Sequence, residues 1–190
     1  MRVAGVVLAA GAGRRFGGPK ALVELGGSLL VERAARALAD GGCDPVLVVL
    51  GAAAEEVRER ADLGGAVLLD NPGWESGMGS SLRVALDALA EGGADAALVL
   101  PVDMPGVGPE AVRRVAARAV DREVLAAAAQ AGRRSHPVLL GRAHWAGART
   151  AAVGDAGARD YLRTREVALV ACDDVASGHD IDTPEDLLRG

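Results

Sequence analysis

The sequence predicts an α/β fold built around a mostly parallel sheet. Short runs rich in valine and leucine alternate with stretches in which apolar residues recur at helical spacing. Continuous apolar runs are typical of parallel strands that are buried on both faces and joined by crossover helices. With 190 residues and a hydrophobic content of 50%, the chain suits one sizeable core. We therefore expect residues 1–190 to form a single domain.

Seven apolar runs are predicted to be strands, and helices are expected between them. The strands lie near residues 3–10, 44–50, 65–69, 96–100, 124–128, 136–140 and 167–171. Three one-sided apolar stripes indicate helix faces that pack on the core: Val31, Ala34, Ala35 and Leu38; Leu82, Ala85, Leu86 and Leu89; Val112, Val115, Ala116 and Ala119. Ligands of open α/β sheets bind beyond the carboxyl ends of the strands, so the loops at 11–20, 70–80 and 101–106 should converge there.

A glycine-rich loop with clustered cations follows the first strand. Glycines at positions 11, 13, 17 and 18 leave backbone N–H groups free to approach an anion. Arg14, Arg15 and Lys20 supply the opposite charge. This combination predicts a cradle for phosphate groups.

Two common phosphate-binding loops do not fit this segment. The dinucleotide fingerprint requires a third glycine where the chain has Phe16, and no acidic residue ends the strand that stops at Leu50. A Walker loop requires Lys directly after Gly18 and a hydroxyl residue next, but the chain has Pro19 first and Ala21 after the lysine. NAD binding and a P-loop NTPase are therefore both unsupported.

Carboxylates that suit a magnesium ion occur at two places. Asp103 follows the strand near 96–100 within a proline-bounded turn, and Mg²⁺ favours one or two carboxylates together with substrate phosphates. Asp180 and Asp182 would project from one face of an extended segment, so either can supply the second ligand. The same segment also reads as a helix start, with Thr183 as N-cap and Asp186 three residues later. Asp103 alone would read as a simple turn residue.

Two further segments carry polar residues that alone would be assigned structural roles. Ser80 and Ser81 precede a helix predicted from about residue 80, where they can bind a ligand, or Ser80 can simply cap the helix. His136 alone is typical of a strand end, and Asp155 with Arg159 of a helix-start pair at four-residue spacing.

The motifs resemble, in order, those of the MobA-like nucleotidyltransferases. The segment from Leu8 to Gly11, with Gly13, Arg15, Gly17, Pro19 and Lys20, is similar to the family's Leu-Ala-Ala-Gly-x-Gly-x-Arg, Gly and Pro-Lys signature. The segments at 71–82, 135–140 and 154–159 are similar to the molybdenum cofactor cytidylyltransferase branch, with Ser135 in place of a usual glycine. The resemblance implies a three-layer, Rossmann-like nucleotidyltransferase fold.

The resemblance also implies a role for each matching residue. Arg15, Lys20 and Asp103 would be catalytic, and Asp103 with Asp182, preferred over Asp180, would bind Mg²⁺. His136, Asp155 and Arg159 would bind the acceptor. The remaining positions would bind the nucleotide, together with Lys20 and Asp103: Leu8, Ala9, Ala10, Gly11, Gly13, Gly79, Ser80 and Ser81.

Composition restricts the class of partner and the compartment. A net charge of −5 argues against nucleic acid or an anionic membrane as the main partner, and favours a small phosphorylated ligand. Cys43 and Cys172 are too few for a disulfide framework, so a reducing, cytoplasmic location is expected. No run approaches the ~20 apolar residues that cross a bilayer.

The resemblance, together with the phosphate loop and the carboxylates, implies Mg²⁺-dependent transfer of a nucleotidyl group to a phosphorylated acceptor. By the same resemblance, CMP from CTP is the favoured group and molybdopterin is such an acceptor. Pro19-Lys20 and the loop at 77–82 favour CTP over GTP by resemblance. An apo-molybdoenzyme is a further expected partner. Two alternatives remain open: an oxidoreductase of the type named nicotine blue oxidoreductase, and a non-catalytic nucleotide-binding chaperone of a molybdoenzyme.

Overall fold

The structure, a computed structural model, describes residues 1–189. Nine strands are present: β1 Val3–Ala9, β2 Glu24–Leu25, β3 Ser28–Leu29, β4 Val46–Leu50, β5 Val67–Asp70, β6 Ala96–Pro101, β7 Leu125–Gln130, β8 Arg133–Gly141 and β9 Ala168–Ala171. Six α-helices accompany them: α1 Leu30–Asp40, α2 Ala54–Arg60, α3 Met78–Ala90, α4 Pro109–Ala116, α5 Trp145–Ala151 and α6 Arg159–Arg163. None of the described helices is long and apolar enough to span a membrane.

Seven strands form one sheet in the order β5-β4-β1-β6-β8-β7-β9, and β2 with β3 forms a separate small ribbon. All seven predicted strands are present in the large sheet, which is mostly parallel as predicted. The exception is β8, which is antiparallel to both β6 and β7. A tight turn at Ala131 and Gly132, both with positive φ, joins β7 to β8. Such a turn suits a two-residue hairpin.

Helices cover both faces of the sheet, so the chain forms three layers. Residues of α1, α2 and α4 pack on one face, and residues of α3, α5 and α6 pack on the other. Alternation along β1 shows this division: Val7 and Ala9 belong to the first apolar cluster, whereas Val6 and Leu8 belong to the second. The predicted helical stripes lie in these layers, except that Ala119 lies beyond the end of α4.

The central strands are buried on both faces, as expected for parallel strands, but the two edge strands are not. Val67 of β5 is 46% exposed and Leu169 of β9 is 50% exposed. The carboxyl ends of β1, β4, β5 and β6 lie at one edge of the sheet because these strands are parallel neighbours. The loops that follow β1, β5 and β6 are those predicted to converge.

Truncating a central side chain should cost far more stability than truncating an edge one. Leu98 on β6 is fully buried, so Leu98→Ala should lower the free energy of unfolding by about 3 kcal/mol. Leu169→Ala on the exposed edge should lower it by less than about 1 kcal/mol. Urea denaturation of both variants measures the difference, and equal losses would contradict the layered arrangement.

Candidate active site

The glycine loop after β1 closes on itself. The N–H groups of Gly17 and Gly18 donate to the carbonyl oxygen of Gly13 at 2.9 and 3.1 Å. Gly13 has a φ of +60°, and a Cβ atom there would lie 1.9 Å from the carbonyl oxygen of Gly18. Any side chain at position 13 would therefore open the loop. The structure gives Gly13 a conformational role in the predicted phosphate cradle.

Lys20, at the end of this loop, contacts two carboxylates from distant parts of the chain. Its Nζ atom donates to Oδ2 of Asp103 at 3.0 Å and to Oδ1 of Asp182 at 2.8 Å. The lysine side chain is only 15% exposed. Burial alone would lower the pKa of Lys20, but the hydrogen bonds and attraction to both carboxylates outweigh it and raise the pKa. The hydrogen bond from Lys20 in turn lowers the pKa of Asp182. Lys20 is thus held as a cation between two anions.

Backbone pairing places the C-terminal carboxylates beside Asp103. The N–H of Ile181 donates to the carbonyl oxygen of Asp103 at 2.8 Å, and the N–H of Ser177 donates to that of Gly106 at 3.1 Å. A β-bridge between Val107 and Ala176 continues this pairing. The C-terminal segment therefore lies along the loop that follows β6.

The predicted helix start also exists in this segment. The N–H groups of Asp182 and Thr183 donate to Oδ2 of Asp186 at 3.0 and 2.8 Å, and a 3-10 helix runs over Pro184–Arg189. This turn fixes the backbone of Asp182, so its structural and functional interpretations are compatible.

Three carboxylates form a cluster suited to a divalent cation. Asp103, Asp180 and Asp182 each offer an oxygen, and these oxygens all lie within 4.8 Å of one another. Carboxylate oxygens are the hard ligands that Mg²⁺ and Mn²⁺ prefer. The donor set therefore fits the predicted metal. Both Asp180 and Asp182 are close enough to supply the second ligand, and Lys20 contacts Asp182.

Two adjoining cavities open at this edge of the sheet, and they share Leu8, Met78 and Asp155 in their walls. The larger has a volume of about 470 Å³ and the smaller about 300 Å³. All three predicted acceptor residues line the larger cavity together with Asp103 and Asp180. Asp155 lies in a 3-10 turn over Gly154–Ala156 and Arg159 begins α6, so the two do not form a pair within one helix start as the spacing suggests.

The smaller cavity collects part of the predicted nucleotide-binding set. Its walls come from the end of β1, the glycine loop, the segment that leads into α3, the first turn of α3, and Asp155. The lining residues are Leu8, Ala10, Gly11, Ala12, Arg14, Trp74, Glu75, Gly77, Met78, Ser81 and Asp155. Ala9 faces the other layer of the core, so its side chain does not line the cavity. Arg15 is exposed at the loop, and Lys20 meets the larger cavity through its contact with Asp103.

The structure places Gly79 and Ser80 in the first turn of α3. The helix α3 begins at Met78, so Ser80 is not its cap; its hydroxyl donates to the carbonyl oxygen of Gly77 at 2.8 Å. A Cβ atom on Gly79 would lie 2.6 Å from the backbone of Ala152, so this glycine permits close packing. Neither residue lines either of the two cavities as the described chain forms them.

A buried asparagine, not predicted as a site residue, holds the segment before α3 in place. The Nδ2 atom of Asn71 donates to the hydroxyl oxygens of Ser80 and Ser81 at 2.8 and 2.9 Å, and its Oδ1 accepts from the N–H of Gly73 at 3.0 Å. Asn71 is 3% exposed. The sequence signal that could have indicated this role is the Asn-Pro-Gly turn, because asparagine side chains in turns often bind nearby backbone groups.

His136 lies in the larger cavity as a neutral group. Burial, reinforced by the positive charge of Arg134, lowers the pKa of His136 to about 4, against a weaker opposite effect of Asp180. At neutral pH the imidazole therefore offers a hydrogen-bond donor and an acceptor instead of a positive charge.

Replacing Asn71 should destabilise the wall of the smaller cavity. Asn71→Ala leaves two buried serine hydroxyls and one N–H without this partner, so the free energy of unfolding should fall by about 1–3 kcal/mol. Ser76→Ala removes an exposed hydrogen bond in the same turn and should cost less than about 1 kcal/mol. Urea denaturation measures both changes. An unchanged free energy of unfolding in Asn71→Ala would show that the hydrogen bonds of Asn71 do not stabilise this wall.

The lowered pKa of His136 predicts a pH window for stability. The unfolded state binds a proton at His136 near pH 6.5 and the folded state only near pH 4, so stability from this group falls as the pH decreases through that window. His136→Gln should lose less stability than the wild type between about pH 7 and about pH 5. Denaturant curves of the wild type and of His136→Gln at both pH values provide the test. Equal losses of stability in the two proteins would show that folding does not lower the pKa of His136.

Comparison with known proteins connects this site to a family. The model of the MobA-like NTP transferase domain matches residues 5–172, a range that ends before Asp180 and Asp182. The nicotine blue oxidoreductase of Paenarthrobacter nicotinovorans is 40% identical over 196 residues, covering 98% of this chain and 95% of that protein. The molybdenum cofactor guanylyltransferase of Rhodobacter capsulatus is 36% identical over 201 residues, covering 100% of this chain and 95% of that protein.

A solved structure shows the same architecture. The crystal structure of Rv0371c from Mycobacterium tuberculosis H37Rv in complex with manganese has a TM-score of 0.82 and 26% identity, covering 100% of this chain and 97% of that chain. The family model spans most of the chain, and both sequence relatives align along nearly all of it. The chain therefore belongs to the MobA-like NTP transferase family.

Proposed function

We propose that the protein transfers a nucleotidyl group from a nucleoside triphosphate to a phosphorylated small molecule, with a divalent cation as cofactor. The observation that carries this proposal is the contact of Lys20 with Asp103 and Asp182. It joins the end of the phosphate loop to a carboxylate cluster in the wall of the larger cavity. A triphosphate and an acceptor phosphate would meet at this junction.

The reaction is a displacement at the α-phosphorus. An oxygen of the acceptor phosphate forms a bond to the α-phosphorus, the bond from that phosphorus to the bridging oxygen of the β-phosphate breaks, and pyrophosphate leaves. A phosphate monoester with a second pKa near ~6 is already anionic at neutral pH, so no general base is required. The chain's own task is alignment and charge neutralisation.

Each of the three proposed catalytic residues has a place in this scheme. The glycine loop would hold the β- and γ-phosphates with N–H groups other than those of Gly17 and Gly18, which already donate to the carbonyl oxygen of Gly13. Arg15 and Lys20 would neutralise charge on the phosphates. Asp103 and Asp182 would bind Mg²⁺, with Asp180 as the neighbouring carboxylate. When bound, the cation supplies positive charge to the phosphoryl oxygens. The manganese complex of Rv0371c supports a divalent cation in this fold.

Two observations favour different nucleoside triphosphates as the substrate. The relative from Rhodobacter capsulatus is named a guanylyltransferase and aligns over 100% of this chain, which supports GTP. The Pro19-Lys20 pair and the Gly-Met-Gly-Ser-Ser-Leu loop resemble the cytidylyl branch, which supports CTP. We give GTP the first place because the relative's match spans the whole chain, and we keep CTP as the second candidate.

The acceptor we propose is molybdopterin, following the name of the guanylyltransferase relatives. A molybdoenzyme that receives the product would then be the macromolecular partner. Two buried free cysteines suit a reducing compartment, so we also propose a cytoplasmic location. The relative named nicotine blue oxidoreductase supplies the alternative activity, hydride transfer.

Pyrophosphate release with GTP, CTP, ATP and UTP in the presence of molybdopterin and Mg²⁺ tests the proposal. Turnover should be highest with GTP or CTP. Asp103→Ala should reduce it by about 100-fold or more because a charge contact in the transition state is lost. Asp174→Ala is the matched control, since Asp174 is exposed and pairs with Arg114 away from the cavities, and it should retain wild-type turnover.

The same assay separates the alternatives. Wild-type turnover in Asp103→Ala would refute the catalytic assignment. Consumption of NADH or NADPH without pyrophosphate release would instead support the oxidoreductase. Calorimetry that shows nucleotide binding without turnover, together with co-purification of an apo-molybdoenzyme, would support a non-catalytic chaperone.

A further inference from the structure

The carboxylate cluster already contains a positive charge that the chain itself supplies. The Nζ atom of Lys20 lies 3.0 Å from Oδ2 of Asp103 and 2.8 Å from Oδ1 of Asp182. The same two aspartates and Asp180 offer oxygens that all lie within 4.8 Å of one another, which is the donor set proposed above for Mg²⁺. The ammonium group of Lys20 and a divalent cation therefore need the same carboxylates.

Charge repulsion opposes the binding of both cations at once. Lysine carries a full positive charge at neutral pH. The side chains of Lys20 and Asp103 are only 15% and 21% exposed, so water screens charges at this place weakly. A divalent cation that binds Asp103 and Asp182 would lie beside the ammonium group and repel it. Metal binding to the protein alone is therefore weakened, or Lys20 has to move.

The side chain of Lys20 can move while its backbone stays in place. Lys20 begins a 3-10 helix over Lys20–Leu22, and its carbonyl oxygen accepts from the N–H of Val23 at 3.1 Å. Its four-carbon stem can rotate. The loop that precedes it is the predicted binding place of phosphate groups, so a bound triphosphate would offer anionic oxygens to the same ammonium group. The carboxylates and the phosphates thus compete for one cation of the chain.

The residue type supports such an exchange. Of the chain's 21 lysine and arginine residues, 20 are arginine and Lys20 is the one lysine. A guanidinium group is planar and forms fixed, paired hydrogen bonds, as Arg114 does with both carboxylate oxygens of Asp174. An ammonium group is a compact charge with three rotatable donors, so it can lie between two carboxylates as a metal ion does. Position 20 thus carries the kind of side chain that can stand in for a metal ion.

We propose that Lys20 is a placeholder for the divalent cation: its ammonium group occupies Asp103 and Asp182 and leaves them when a triphosphate binds the glycine loop. This rests on the proposed function and adds a regulation of that same site. The protein alone should bind the cation weakly, and a bound nucleotide should free the carboxylates for it. One side chain then couples the binding of the two ligands.

Binding of Mn²⁺ to the full-length protein without nucleotide, measured by electron paramagnetic resonance of the free ion, tests this inference. Lys20→Met should lower the dissociation constant for Mn²⁺ by about tenfold or more, because the ammonium group that competes with the ion is removed. Lys20→Arg keeps the positive charge and should bind Mn²⁺ no more tightly than the wild type. Arg118→Met is the matched control for a lost charge: Arg118 is exposed and lines neither cavity, so affinity should be unchanged.

A purely structural Lys20 gives the opposite result, because carboxylates that separate without it would hold Mn²⁺ less tightly. Unchanged or weaker binding in Lys20→Met, or no binding by this variant, would therefore overturn the inference. The wild type gives a second readout that needs no variant. Saturating Mg²⁺ alone should move the side-chain NMR signal of this one lysine, because the ammonium group leaves the carboxylates. An unmoved signal would also overturn the inference.

Thermal unfolding with and without Mn²⁺ shows whether Lys20→Met folds, and the ion should raise the Tm of this variant more than that of the wild type. Pyrophosphate release by the wild type is measured separately. Turnover without tighter Mn²⁺ binding in Lys20→Met refutes the inference alone. Tighter Mn²⁺ binding in the variant, with no turnover of any nucleotide by the wild type, refutes the proposed function alone.

Discussion

The site depends on one electrostatic arrangement, the ammonium group of Lys20 between the carboxylates of Asp103 and Asp182. Three carboxylates whose oxygens lie within 4.8 Å would repel one another strongly without a nearby cation. Lys20 supplies that cation at 3.0 and 2.8 Å and is largely shielded from water, which strengthens the attraction. The same contact ties together three segments that are 83 and 162 residues apart in sequence.

The sheet makes this arrangement possible because its parallel strands end at one edge. The strands β1 and β6 are neighbours, so the glycine loop and Asp103 emerge side by side. The C-terminal segment then pairs with the loop after β6 and adds Asp180 and Asp182. The segment at 154–159 forms the opposite wall, where Gly77 approaches Asp155 so closely that a Cβ atom would lie 2.6 Å from its Oδ1. These contacts divide the edge into two adjoining cavities.

The sequence was sufficient for the fold class, the seven strands of the large sheet and the three helical stripes, because apolar periodicity reports burial directly. It did not predict that β8 would be antiparallel to β6. Its hairpin signal was one glycine, Gly132, beside an alanine that adopts a positive φ. Local propensity opposes that conformation in alanine, so only the pairing of the strands could reveal it.

For the site, spacing and resemblance were enough to select the segments but not the contacts. Lys20 was expected to act on phosphate, yet its partners in the structure are Asp103 and Asp182, a pairing that depends on tertiary structure. Ser80 matched a motif, but Asn71 and the backbone of Gly77 use its hydroxyl.

The chain contains a single lysine, so lysine-selective isotope labelling gives one side-chain signal that reports directly on this arrangement. The pH titration of that signal by NMR in the wild type and in Asp182→Asn is the most direct measurement of the central claim. The contact predicts a pKa above the ordinary lysine value in the wild type and a lower one in Asp182→Asn, together with a shift of the signal when Mg²⁺ and GTP or CTP are added. Identical titrations in the two proteins, and no response to nucleotide, would contradict it.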